Sequence, residues 1–195
     1  QAAPQMALPE DSLAPPPARP LVIRATVPAL TAEQIARLAR AAQEFRRGNH
    51  AAGEALAAGV TDPTLKLALE WLALRSLKQS AGFQRITGFL ARSPDFPMAQ
   101  WLRRRAEEAL FIEAPPAETV RAFFATTPPE MAGGKIALAR VLAASGEVKA
   151  AEALVRDAYR DNKTTAALRA AIRKDFPGVV SAADQRYLAE RLIYD

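Results

Sequence analysis

Asp62 to Leu110 reads DPTLKLALEWLALRSLKQSAGFQRITGFLARSPDFPMAQWLRRRAEEAL, three short helices in succession with every break written in Pro, Gly or Ser. Asp62 and Pro63 supply an N-cap and a first-turn proline. In the helix that follows, Leu65, Leu69 and Leu72 form one apolar row, and Leu67, Trp71 and Leu74 form another. A helix apolar over so much of its circumference is expected in the middle of a stack. Ser80 to Gly82 closes it, and Phe83, Ile86, Phe89 and Leu90 line the partner helix. SPDFP (Ser93–Pro97) ends that partner, and Met98, Trp101, Leu102, Ala106 and Leu110 carry the next helix.

The same grammar extends outward. Thr31 with Gln34 makes a capping-box-like start, followed by Ile35, Leu38, Ala42 and Phe45 on one face. Gly48 stops this helix, and Ala51–Ala58 forms a short second one. Beyond Leu110, APP and TTPPE bracket a helix holding Val120, Phe123 and Phe124. After Gly133 and Gly134, read as a hinge, Ile136–Ala144 and Val148–Tyr159 make a hairpin around SGE. Thr164–Phe176 and Ala182–Tyr194 complete a count of about ten helices. Their loops are short enough to force antiparallel neighbours.

Ahead of the helices, Gln1 to about Leu30 reads as an extended, largely disordered Pro-rich arm, with VIRATV (Val22–Val27) as its one candidate edge strand. The 31–195 remainder is one helical domain. A start at QAAP suits a mature end after signal-peptide removal, or an artificial start. The stop at Asp195, inside a helical pattern without a C-cap, suits a truncated product.

Composition narrows the chemistry. The 195 residues are half apolar but only 7% aromatic, so Ala and Leu carry the apolar content, and both favour helix. With no Cys and one His, disulfides and thiolate metal sites are excluded, most His-based metal sites are removed, and little room is left for a Ser-His-Asp arrangement. No metal, cofactor or catalytic residue is assigned. No apolar run approaches the roughly 20 residues that span a bilayer. The net charge of +5 favours acidic partners without selecting one.

The helix lengths repeat. Trp71 and Trp101 stand thirty residues apart, and the segments 31–60, 63–93, 97–127, 134–162 and 165–195 are of similar length, the period of a helical solenoid. In KIALARVLAASGEVKAAEALVRDAY, Leu138, Ala139, Leu142, Gly146, Ala151, Val155 and Ala158 fall where a tetratricopeptide repeat places small and apolar residues. The expected architecture is all-α, a right-handed superhelix or solenoid of degenerate tetratricopeptide-like antiparallel helix pairs.

Arg103, Arg104 and Arg105, following Trp101, are the candidate contact for an anionic polymer, with Trp101 as a stacking surface. The competing account makes Trp101 and Leu102 core and the arginines a solvated face paired with Glu107 and Glu108. The pairs Arg46–Arg47 and Arg173–Lys174 suit helix C-termini. Basic residues are scattered without a stripe, and no nucleic-acid module signature is present. His50 reads as a loop or capping residue. Glu70, Glu108, Glu113 and Asp195 are carboxylates, but their spacing brings no pair into the cleft that glycoside chemistry requires.

Trp71 in an apolar helix, the Phe89–Leu90 pair, the SPDFP turn and RRRAEEAL together resemble the α-superhelical, non-catalytic region of soluble lytic murein transglycosylases. FFATTPPEMAGGKIALARVLAASGEVKAAEALVRDAYRDN and the ending DQRYLAERLIYD continue the resemblance, which covers most of residues 31 to 195. In that family the superhelix precedes a lysozyme-like domain whose Glu-Ser glutamate cleaves the peptidoglycan glycan strand. No Glu-Ser dipeptide occurs in this chain, so no catalytic residue carries over. The resemblance implies a periplasmic scaffold that positions the enzyme on peptidoglycan, in a parent protein that is a lytic transglycosylase. The alternative is a free-standing tetratricopeptide-like adaptor for a protein partner.

Overall fold

A computed structural model describes residues 30–77, 81–161 and 163–194. The described residues form ten α-helices and no strand: α1 (Ala32–Arg47), α2 (His50–Ala58), α3 (Pro63–Ser76), α4 (Phe83–Arg92), α5 (Ala99–Glu113), α6 (Ala117–Phe124), α7 (Ala132–Ala144), α8 (Val148–Arg160), α9 (Ala166–Asp175) and α10 (Ala182–Tyr194). The chain divides between Thr31 and Ala32, and all ten helices belong to the second unit. The expected arm, with its Val22–Val27 strand, falls outside the described residues apart from Leu30. So does the expected closure of α3 at Ser80. No helix is long and apolar enough to cross a membrane among the described residues.

Local signals set the boundaries. The Asp62 carboxylate accepts the Leu65 N–H at 2.9 Å with Pro63 at the first helical position, so α3 starts where its cap dictates. Between α7 and α8, Gly146 adopts φ +84°, and the Gly146 and Glu147 N–H groups return to the carbonyls of Ala143 and Leu142. That pair of bonds is a Schellman stop, which satisfies carbonyls the helix end leaves open. The SPDFP turn ends α4 and leads to Met98 at φ +68°. Phe96 of this turn sits edge-on to Phe89 at 5.2 Å and tilted against Trp71 at 5.8 Å. The turn is thereby fixed to the core rather than left as a loose connection.

Three buried groups follow one another along the helices. Ala41, Phe45, Leu69 and Ala73 join α1 and α3. Leu74, Phe83, Ile86, Phe89, Leu102 and Leu110 lie at the centre of the second group. Ile136, Val155, Ile172 and Leu188 belong to the third. The two apolar rows of α3 serve different groups: Leu65, Leu69 and Leu72 face the first, while Leu67, Trp71 and Leu74 face the second. A helix shared between two cores has to be apolar on two sides.

Several expectations are corrected. Ile35 is 53% exposed, and Ala41 rather than Ala42 is buried beside Phe45. The α1–α2 approach is set by Gly53, where an added Cβ would stand 2.6 Å from the Phe45 ring. His50 is the first residue of α2, half-buried, its ring 6.4 Å from that of Phe45 and its Nδ1 3.4 Å from the Ser76 hydroxyl. Helix α4 packs more closely on α5 than on α3, so the 63–93 segment is not a tight hairpin. Gly133 and Gly134 are no hinge: α7 begins at Ala132 and both glycines are buried in its first turn against α5. A Cβ on Gly134 would collide with the Glu107 carboxylate, so only glycine lets these two helices approach so closely.

Candidate functional site

The three arginines of α5 point in different directions because successive residues on a helix are about 100° apart. Arg103 donates to the carbonyls of Phe123 at 3.3 Å and Thr127 at 3.1 Å, with its guanidinium 4.4 Å above the Phe123 ring. Arg104 pairs with Glu130 at 2.8 Å, and this pairing together with Gln100 holds the Glu130 carboxyl below the usual range. Arg105 lies over Trp101 at 5.0 Å and pairs with Glu108 at 2.9 Å. All three therefore have partners within the chain, and they do not converge on one locus.

Arg103 belongs to a pattern that recurs along the molecule. The last carbonyls of a helix and the first N–H groups lack partners within the helix itself. Here side chains from neighbouring helices supply them. Arg37 donates to Gly59 O, Arg140 to Phe111 O, and Arg169 to the carbonyls of Tyr159 and Asp161, while Arg156 reaches the Val179 carbonyl in the α9–α10 connection. At the opposite polarity, the Glu113 carboxylate accepts the Phe83 N–H at 2.8 Å and caps α4 from the end of α5. Cations at carbonyl ends and anions at amide ends both suit the helix dipole.

Glu107 is the strongest case. It is 0% exposed, and its carboxylate accepts the N–H groups of Glu130 at 2.9 Å and Met131 at 2.7 Å, just ahead of α7. Burial pushes its carboxyl up, and the Met131 and Glu130 N–H groups with Arg103 only partly oppose the rise. Arg103 and Glu107, one turn apart on α5, thus hold the two ends of the α6–α7 connection. Asp184, 1% exposed, plays the corresponding part at α10. It accepts the Ser181 N–H at 2.8 Å and hydroxyl at 2.6 Å, while Ser181 Oγ accepts the Asp184 N–H, a capping box. Arg160 closes on it at 2.6 Å. Burial opposes ionisation of Asp184, but the bonds from Ser181 and then Arg160 outweigh it and hold the carboxyl below its ordinary value.

The carboxylates singled out from sequence are otherwise occupied. Arg85 of α4 grips Glu70 of α3 through 2.8 and 3.0 Å bonds and reaches Glu54 of α2 at 2.6 Å, so one guanidinium joins three helices. Glu108 pairs with Arg105 and Glu113 caps α4, while Asp195 lies outside the described residues. The two buried acids, Glu107 and Asp184, were not among them. The only sequence signal was spacing: Glu107 one turn after Arg103, and Asp184 three residues after Ser181. Among the described residues no group of three or more His, Asp or Glu gathers as a metal site.

A groove of about 300 Å³ lies between α5, the start of α7 and α9. Phe111, Met131 and Leu168 are its large apolar members and Ala171 one of its small ones, with Glu108 and Lys163 contributing charge. Ile112, 59% exposed, also lines it. The groove stays open because α9 is tied elsewhere. The buried Thr164 hydroxyl donates to Ala158 O at 2.7 Å, and Arg169 holds the end of α8. No sequence periodicity announces such a gap, since its walls come from three separate helices. Comparisons with protein-family models, curated proteins and solved structures give no match.

Proposed function

We propose that this chain is a non-catalytic helical scaffold of a periplasmic soluble lytic transglycosylase, positioning a separate lysozyme-like domain on peptidoglycan. In this reading the helices are a right-handed superhelix of degenerate tetratricopeptide-like pairs. The observation that carries it is the α5–α7 crossing. RRRAEEAL, one of the segments on which the family resemblance rests, forms the helix that caps α7 through Glu107 and clasps the preceding connection through Arg103. The buried acids hold helix ends together, which is the work of a scaffold. The surplus of five positive charges suits a polymer bearing peptide carboxylates. The test is co-sedimentation with purified sacculi. Binding at low salt that declines as ionic strength rises past about 0.15 M is expected, because exposed charges are screened beyond roughly 8 Å there. A chain that stays in the supernatant at low salt overturns the proposal.

The groove between α5, α7 and α9 favours a second reading, a free-standing adaptor that binds a protein segment. The reading frame separates the two. The scaffold requires a parent protein with a Glu-Ser-bearing lysozyme-like domain after the helices, and the adaptor does not.

A further inference from the structure

We infer that the outer face of α9, with Lys163 just ahead of it, is the surface that meets the carboxylates of peptidoglycan. This rests on the scaffold reading and names a contact for it, since Arg103, Arg104 and Arg105 are each held within the chain. Charge singles α9 out. Between Asp161 and Asp175 four cations, Lys163, Arg169, Arg173 and Lys174, stand against two acids. Asp175 is bound by Arg140 of α7 at 2.6 Å, and Asp161 accepts the Lys163 main-chain N–H at 2.9 Å. Among the described residues none of the four cations has a carboxylate oxygen within 4.0 Å. Helix α1 also carries four arginines, but Glu33 and Glu44 of the same helix take Arg37 and Arg47.

Helix geometry gathers these cations on one side. At about 100° per residue, Arg169, Arg173 and Lys174 lie with Ala166 and Ala170 away from the side that holds Leu168 and Ile172. Lys163, Arg173 and Lys174 are exposed, while half-buried Arg169 is fixed by the carbonyls of Tyr159 and Asp161. The helix dipole accounts for Arg173 and Lys174 in the last turn. It does not account for Lys163, which stands ahead of the Thr165 N-cap, where the dipole opposes a cation. Ten residues of helix span about 15 Å, so Lys163 and Lys174 cannot converge on one small anion. They fit a polymer that carries carboxylates at intervals. Duplex nucleic acid, with one charge per roughly 1.7 Å of axis, is far denser than four cations over that length. A carboxylate arriving at α9 displaces no ion pair, whereas one arriving at α5 has to break Arg104–Glu130 or Arg105–Glu108.

The test compares two charge-matched variants of the full chain in pelleting with purified sacculi at low salt. The first combines Lys163→Gln, Arg173→Gln and Lys174→Gln, leaving Arg169 to hold α8. The second removes three exposed cations elsewhere, Arg40→Gln, Arg46→Gln and Lys149→Gln. Glutamine matches lysine and arginine closely in helix propensity, so circular dichroism spectra are expected to be unchanged. If the first variant melts early, Lys163→Gln with Lys174→Gln alone replaces it. The α9 variant is expected to weaken binding at least ten-fold and the control less than two-fold. Sacculi whose carboxylates have been coupled to methylamine are expected to retain neither variant nor wild type. Wild type that pellets while the α9 variant pellets equally well, or while the control loses as much, overturns the α9 assignment and leaves the scaffold reading standing. Wild type that never pellets overturns both. Undiminished binding to amidated sacculi, or tighter α9-dependent binding to duplex DNA, also overturns the assignment, because the ligand is then not a peptidoglycan carboxylate.

Discussion

Glu107 and Asp184 are both buried carboxylates that receive N–H groups at the start of a helix, α7 in one case and α10 in the other. They differ in what else touches them. Asp184 has the Arg160 guanidinium at 2.6 Å and a capping hydroxyl in the same box. Glu107 reaches α7 from another helix, and its hydrogen bonds come from main-chain N–H groups, with Arg103 turned toward carbonyls instead. The consequence is opposite in sign. Burial wins at Glu107 and raises its carboxyl, while hydrogen bonds and a cation win at Asp184 and lower it. A buried acid can hold a helix end either way, and its ionised form is the comfortable one where hydrogen bonds and a cation together outweigh burial, as at Asp184.

The comparison breaks most easily at Glu107. Glu107→Ala leaves two buried N–H groups without an acceptor, at about 1–3 kcal/mol each, so urea melts are expected to show a loss of roughly 2–6 kcal/mol by that arithmetic. Glu107→Gln, which keeps one acceptor oxygen, is expected to lose only about 1–2 kcal/mol. Gly134→Ala forces a methyl into the carboxylate at the same crossing. A loss of about 1–3 kcal/mol is expected from overpacking, even though alanine favours helix by about 1 kcal/mol. Asp184→Ala removes a cap worth about 1–2 kcal/mol, and Arg160, 44% exposed at its side chain, can turn to water. If Asp184→Ala proves more damaging than Glu107→Ala, the contrast between the two junctions is wrong.

The smallest effect is in pH. Glu107 is raised on folding, so the folded chain holds the extra proton and its contribution to stability grows as pH falls through the folded value towards the unfolded value of about 4.3. Asp184 is lowered, so its contribution is present above the unfolded value of about 3.9 and is lost as pH falls through the folded one. Urea midpoints between pH 7 and pH 3 read both. The wild type is expected to gain on Glu107→Gln and to lose on Asp184→Asn as the solution is acidified. Parallel curves for the two variants would remove the distinction.

Much of the helix order was legible, and the reasons are local. Asp62–Pro63 writes a cap and a first turn whose geometry depends on four residues, and Ser145-Gly146-Glu147 writes a stop in the same way. The two apolar rows of α3 could be counted, and they do face two cores. The charged residues were the illegible part. RRRAEE reads as a solvated, self-paired face, because spacing along one helix describes only neighbours on that helix. Arg103, Glu107 and Glu113 instead bond to residues twenty to thirty positions away. Gly133–Gly134 misled for the same reason. A glycine pair looks flexible until the helix it must pass is known.

By itself the sequence determined about ten helices, the boundaries at Asp62–Pro63 and Gly146, and the two apolar rows of α3, since propensity, capping and periodicity act over a few residues. Only the tertiary structure decided which helix covers which and where the charges go. It placed Arg103, Glu107 and Glu113 on backbone groups of neighbouring helices and left α9 tied to α8 beside an open groove. Each such choice depends on which free N–H and carbonyl groups the packing brings within about 3 Å, and that distance is set by the crossing of whole helices.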